Sequence, residues 1–222
     1  MPAVTPQRYA MGMTFDEYVA FVATPANLRR ESGGGPRVDH SDDLRRAFVQ
    51  RRLTEDQTSA LQWLVAQPKG PAKMLAISEE FSSDCRRDIP TFARIAAVTG
   101  MELRIFTRDG QAFYDDDLPP EKQPPDSNGD LMAQFMNRKD GRDWPSIPVC
   151  AFFTSDFEYL YHYSEYPAVY HKDRLAQNED APLHDDREFF ALLESPFFRI
   201  WTSAAVDEIV SALHRVAILG RV

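Results

Sequence analysis

Lys73-Met-Leu-Ala-Ile-Ser-Glu-Glu-Phe-Ser-Ser-Asp-Cys-Arg-Arg-Asp-Ile-Pro90 is the stretch on which the reading of this chain turns. Met74 to Ile77 is a short run of continuous apolar residues, as in a parallel strand buried on both faces. A polar turn follows, and then a helix that carries Cys85 in its first turn. Backbone N–H groups and the positive end of the helix dipole can favour a thiolate at such a place. The helix is expected over Asp84 to Thr99, with Ile89, Phe92, Ile95 and Ala96 on its core face and Gly100 as its stop. Pro90 is expected to kink it, because proline removes one intrahelical hydrogen bond.

Downstream, Glu102 to Thr107 reads as a second strand. The strand–helix–strand spacing implies a right-handed parallel crossover. Asp109 to Gly129 is rich in Asp, Pro and Gly and reads as a surface loop. Its acidic trio, residues 115–117, lacks the glycine and distal glutamate of a calcium loop. A short helix is expected over Asp130 to Asn137, followed by an apolar strand within Trp144 to Phe153. Glu158 to Tyr163 alternates like the return strand of a hairpin. Asp186 to Leu193 and Phe197 to Leu219 show helical spacing.

Upstream, the first seventy residues differ in character. Thr14-Phe-Asp-Glu17 and Thr54-Glu-Asp-Gln57 match capping boxes, and Asp43 to Arg52 is a further helical run. Pro25 breaks or kinks the first of these helices, and Ser32-Gly-Gly-Gly-Pro36 is a flexible loop. Residues 1–70 are therefore expected to form a helical extension packed on a core domain spanning 71–222.

Composition narrows the classes of function. With 222 residues, 43% hydrophobic and 12% aromatic, the chain can build one substantial core. A net charge of −9, from 34 acidic and 25 basic residues, argues against a nucleic-acid partner, which needs a basic surface. Two cysteines, Cys85 and Cys150, exclude a disulfide-dense secreted scaffold. The opening residues lack the pattern of a secretory signal, and no run approaches the ~18 apolar residues of a membrane span. A soluble cytoplasmic protein with no membrane partner is the expectation. No histidine pair has metal-ligand spacing, and Cys85 with Cys150 supplies at most two soft ligands, so no metal or other cofactor is expected. The glycines at 33–35 follow no strand, which argues against a phosphate loop.

The order strand, helix, strand, helix, strand hairpin, helix, with a thiol-bearing turn before the first helix and Ile147-Pro148 opening the hairpin, resembles the thioredoxin fold. More closely, the chain resembles a bacterial thioredoxin-like family whose site reads Trp-Cys-Gly-Asp-Cys-Arg; here the matching residues are Phe81-Ser-Ser-Asp-Cys-Arg86. The likeness extends to Glu102-Leu-Arg-Ile-Phe-Thr-Arg-Asp109 and Ser146-Ile-Pro-Val149, and spans about residues 70 to 165. The resemblance implies an α/β fold with a central mixed sheet flanked by helices. It also implies a cis peptide before Pro148, facing the turn, and a substrate groove formed by Phe81, Ser83, Asp84, Arg86 and Ile147.

The departure from that family concerns its chemistry. The family's attacking cysteine is replaced by Ser82, whose hydroxyl is far less acidic than a thiol and forms no disulfide. Ser82 can instead cap the helix by accepting the Cys85 N–H. The helix terminus, Arg86 and Arg87 would lower the Cys85 pKa, Asp84 and Asp88 would oppose them, and burial would make the thiol inert. Cys150 lies two residues beyond Pro148 on the same strand face. A Cys85–Cys150 disulfide and an ordinary buried thiol both stand open. Two functions follow: single-thiol redox or thiol-disulfide chemistry through Cys85 on a thiol substrate, or an inactive fold kept as a binding module for a protein partner.

Overall fold

The computed structural model describes residues 2–30, 37–110, 122, 127–139, 141–168 and 196–219. The expected helix at 186–193, the acidic trio at 115–117 and the glycines at 33–35 lie outside these.

Among the described residues, five helices precede the first strand: α1 (Pro6–Ala10), α2 (Phe15–Val22), α3 (Pro25–Leu28), α4 (Ser41–Gln50) and α5 (Glu55–Val65). Both expected capping boxes form. Thr14 and Glu17 exchange hydrogen bonds at the start of α2, and Thr54 and Gln57 do so at the start of α5. α2 ends at Val22, and Pro25 breaks this helical run, as expected, rather than kinking it. It is the first residue of α3, where its missing N–H costs nothing, and Thr24 caps that helix. α1 escaped the sequence reading because a five-residue helix has no apolar period to reveal it; its signal was Thr5-Pro6, the cap and the first residue.

The core sheet is built from β1 (Lys73–Ser78), β2 (Glu102–Thr107), β5 (Val149–Phe153) and β6 (Tyr159–Ser164), in the order β2-β1-β5-β6. β1 pairs β2 in parallel, with Ala76 opposite Ile105. β5 runs antiparallel to both β1 and β6. Every residue of β5 is buried, as its unbroken apolar sequence requires. A bridge from Met13 to Ile105 covers part of the β2 edge.

Helix α6 (Ser83–Thr99) links β1 to β2 and ends at Gly100, whose φ of 77° is the left-handed conformation that glycine adopts without penalty. It runs as one element through Pro90. Near that missing N–H, the Arg87 carbonyl accepts from Arg51 Nη2 at 3.0 Å and Thr91 Oγ1 at 3.3 Å. The terminal helix α8 (Pro196–Ala217) packs on α5, α6 and β6.

One expectation fails between β2 and β5. The helix expected over Asp130 to Asn137 is only α7 (Gly129–Met132), tightening into three-residue turns at Gln134 and Phe135. Asn137 instead begins a small antiparallel pair, β3 (Asn137–Lys139) with β4 (Arg142–Trp144). The apolar strand starts at Val149, directly after Ile147-Pro148 as expected, since Pro145 and Pro148 have no N–H to give a ladder.

One apolar cluster unites the two halves of the chain. Tyr9, Tyr18, Val22, Leu44, Leu61 and Leu64 from the first seventy residues share it with Met74, Ile77, Phe92, Phe152 and Ile209. The resulting α/β architecture is a mixed four-stranded sheet flanked by helices.

Candidate functional site

β1 ends at Ser78, and the chain turns through Glu79 to Ser82 before α6 begins. Ser82 is the N-cap of α6, and its hydroxyl accepts the Cys85 N–H at 3.4 Å. Phe81, Ser82, Ser83, Asp84 and Arg86 are half-buried. The Ile147–Pro148 peptide is cis. Ile77 pairs with Val149, so the antiparallel register brings Pro148 alongside the end of β1, where the turn begins. Ile147 and Pro148 are both buried there.

Cys85 does not have the environment of an activated thiol. Its residue is 1% exposed, and burial pushes the thiol up to about 12. The sulfur accepts the Glu79 N–H at 3.4 Å, and the nearby Ser78 and Ser82 hydroxyls also lower its pKa. These interactions favour the thiolate but do not offset desolvation. Tyr18 from α2 reaches the same spot, with its hydroxyl 3.0 Å from Ser78 Oγ. The two arginines expected to depress the thiol are engaged elsewhere. Arg86 donates to the carbonyls of Glu80 at 2.7 Å and Phe81 at 2.9 Å. Arg87 donates through Nε and Nη2 to Asp88, at 2.8 and 2.6 Å, and through Nη1 to Asp84 at 2.8 Å. Cys150 is wholly buried and free, as Cys85 is, and burial with the nearby Asp88 charge raises it too. No Cys85–Cys150 disulfide is present.

Two buried charge networks flank the turn, and the sequence reading anticipated neither. On the side of the N-terminal helices, Arg37 donates to Glu79 at 2.8 Å, to both Glu80 oxygens at 2.7 and 2.9 Å, and to Asp109 at 3.4 Å. Arg30 bonds the second Glu79 oxygen at 2.9 Å, and the Asp109 N–H donates to that same oxygen. Burial and the Asp109 charge raise the Glu79 pKa, against the pull of Arg30 and Arg37. The Arg37 guanidinium also lies 5.1 Å from the Phe81 ring centroid.

On the α6 side, the Arg87–Asp88 pair is completed by Tyr163, which donates to Asp88 at 3.1 Å, and by the Glu165 carbonyl, which accepts from Arg87 at 2.9 Å. Asp84 sits at the open end of this network. Burial and repulsion from Asp88 outweigh its Arg87 contact and raise its carboxyl to about 6. The sequence signal available for both networks was charge in places where the chain cannot yet be exposed: Glu79-Glu80 directly after a buried strand, and Arg87-Asp88 on a helix whose neighbours are apolar.

Among the described residues, no group of three His, Cys, Asp or Glu side chains could hold a metal ion. No described helix is long and apolar enough to cross a membrane.

No protein-family model matches the chain, and no curated protein matches it significantly. Among solved structures it is similar to a protein of unknown function from Pseudomonas aeruginosa, with a TM-score of 0.53 and 13% identity over 95% of this chain and 98% of that one. It is also similar to an HIV epitope-scaffold, with a TM-score of 0.52 and 13% identity over 96% and 98% of the two chains. At that identity the likeness is one of fold: this chain shares its α/β architecture along nearly the whole length of both.

Proposed function

We propose that the chain is a thioredoxin-like protein that has exchanged dithiol chemistry for binding, with the half-buried turn at Phe81–Asp84, backed by the buried Ile147–Pro148 segment, forming the face offered to a protein partner. The support for a thioredoxin-like fold is the sheet order β2-β1-β5-β6, with its first pair parallel and the next two pairs antiparallel, together with a thiol-bearing turn between β1 and α6. The observation that carries the functional reading is the buried Cys85 sulfur behind a capping serine. Ser82 occupies the position of the attacking thiol and has a structural task there. Cys85 occupies the position of the resolving thiol and is neutral at physiological pH. Single-thiol chemistry would need a sulfur that solvent or substrate can reach.

Alkylation of the native protein, followed by mass mapping, tests this reading. A thiol near 12 instead of about 9 holds roughly a thousandfold less thiolate at neutral pH. Cys85 should therefore react at least that much more slowly than a free peptide thiol, and the protein should not turn over in an insulin-reduction assay. Alkylation at the peptide rate, or insulin reduction comparable to a dithiol thioredoxin, would overturn the binding-module reading.

A further inference from the structure

Away from the turn, a cavity of about 710 Å³ opens between the end of α4, the link into α5 and the start of α8. Arg51, Arg52 and Arg199 line it together with the hydroxyls of Thr202 and Ser203, and among the described residues no carboxylate lines it. That wall is unusual for a chain in which acidic residues outnumber basic ones by 34 to 25.

Arg51 is the central feature. It is 8% exposed, and among the described residues its guanidinium has neutral partners only: Nη1 donates to Thr202 Oγ1 at 3.2 Å and Nη2 to the Arg87 carbonyl at 3.0 Å. Its Nε is buried without a hydrogen-bond partner. Burial lowers its pKa, the more distant Asp88 opposes that shift, and Arg87 adds to it. A buried arginine without a paired anion is costly, and buried charges are ordinarily paired. The contrast with Arg37 and Arg87 is direct, since each of those holds at least two carboxylates.

Arg52 and Arg199 are exposed on the same cavity and form no ion pair among the described residues. Thr202 Oγ1 accepts from Arg51, and Ser203 Oγ accepts from Gln57 Nε2 at 3.0 Å, so both hydroxyl protons remain to be donated. Asp207 accepts from the same Gln57 nitrogen at 2.8 Å. Glu55 and Asp56, in the first turn of α5, are exposed.

We propose that this cavity is a binding site for a phosphate-bearing small molecule. Arg51, Arg52 and Arg199 would supply the charge, and Thr202 and Ser203 would donate to the phosphate oxygens. Planar guanidinium forks match phosphate geometry in pairs of hydrogen bonds, and the Thr202 and Ser203 hydroxyls add donors for the oxygens that a tetrahedral phosphate presents beyond the two of a carboxylate.

Isothermal titration of the full chain in dilute chloride buffer, with pyrophosphate, inorganic phosphate and citrate as separate probes, tests the assignment. Pyrophosphate should bind saturably with a dissociation constant below about 1 mM, more tightly than phosphate, and citrate should bind at least about tenfold more weakly than pyrophosphate. Arg52→Ala and Arg199→Ala, both at exposed positions, should each weaken pyrophosphate about tenfold, whereas Arg142→Ala on exposed β4 should leave it unchanged. Arg51→Met should abolish binding in a protein that still melts cooperatively. If that variant does not fold, the Arg52 and Arg199 variants decide the matter. No saturable binding up to about 10 mM, citrate binding as tight as pyrophosphate, or an Arg142 variant as impaired as the Arg199 variant would each overturn the proposal.

Discussion

Cys85 and Glu79 touch, with the Glu79 N–H on the cysteine sulfur, yet the two residues belong to regions of opposite electrostatic character. Around the sulfur are an apolar core, one backbone N–H donor and the neutral hydroxyls of Ser78 and Ser82. Around the carboxylates of Glu79, Glu80 and Asp109 are Arg30, Arg37 and Arg108 at hydrogen-bond distance. Positive charge is abundant within a few ångströms of the turn, but all of it is committed to carboxylates and carbonyls. A thiol at the first turn of a helix is therefore not activated by position alone. It needs solvent, or a cation with nothing better to bind, and Cys85 has neither.

The same contrast runs through the residues the resemblance singles out. Thioredoxin-like chemistry would need an exposed thiol at position 82 and a poised one at 85. Here position 82 holds a cap and position 85 a core residue, while polar organisation has moved to the two flanks. The flank formed by Arg37 also ties the N-terminal helical segment to the turn, and its guanidinium lies against Phe81, the first residue of the proposed face.

Breaking the charged flank should have the largest effect. Arg37→Met leaves Glu79, Glu80 and Asp109 buried with less compensation. It should cost about 3–5 kcal/mol of stability by denaturant unfolding, with the midpoint lowered and most of the loss recovered at pH values low enough to protonate the carboxylates. A loss below about 1 kcal/mol would mean that this network is no more than surface-like decoration.

A smaller effect is expected at Asp84, where the comparison can be read through pH. Its carboxyl is raised from an ordinary 3.8 to about 6 in the folded protein, so the native state holds the proton more tightly than the unfolded chain. The stability this contributes is complete below about pH 4 and is lost as the pH rises through 6. Asp84→Asn removes the titration. The variant should therefore gain on the parent by roughly 1–2 kcal/mol between pH 4 and pH 7, as measured by unfolding at each pH. A difference that does not change over that range, or that changes in the opposite sense, would show that the Arg87 contact dominates the site.

The smallest effect belongs to the residue that the family comparison makes most conspicuous. Ser82→Ala removes a cap whose hydrogen bond to the Cys85 N–H is long, at 3.4 Å, so it should cost only about 0.5 kcal/mol. It should leave the alkylation rate of Cys85 nearly unchanged, because burial rather than the serine holds the thiol neutral. A large rise in reactivity would make Ser82 the lid over the sulfur and sharpen the contrast in an unexpected direction.

Much of the framework was legible because it depends on local rules. Alternation of apolar strands with a 3.6-residue helical period located β1, α6, β2 and β6 to within a residue or two. Two capping boxes and Gly100 marked ends that hydrogen-bonding requires. Ile147-Pro148 marked the start of β5. Errors fell where a short segment is decided by its partner. The β3–β4 pair displaced the end of a helix, because Asn137 found Trp144 across a turn. α1 owes its stability to Tyr9, which donates to the Glu102 carbonyl at 2.7 Å, a residue 93 positions away.

The α/β alternation, the position of the thiol at a helix start and the absence of a second thiol at position 82 follow from residue types and their spacing, which fix period, capping and nucleophile chemistry before any folding. Whether water can reach the thiol was settled by packing alone. That depends on how many distant groups, Tyr18 from α2 and the apolar cluster around β1 among them, exclude water from one sulfur. It depends equally on which of several nearby arginines find carboxylates first. Desolvation and charge pairing are properties of the packed three-dimensional neighbourhood, which the local sequence of the turn does not encode.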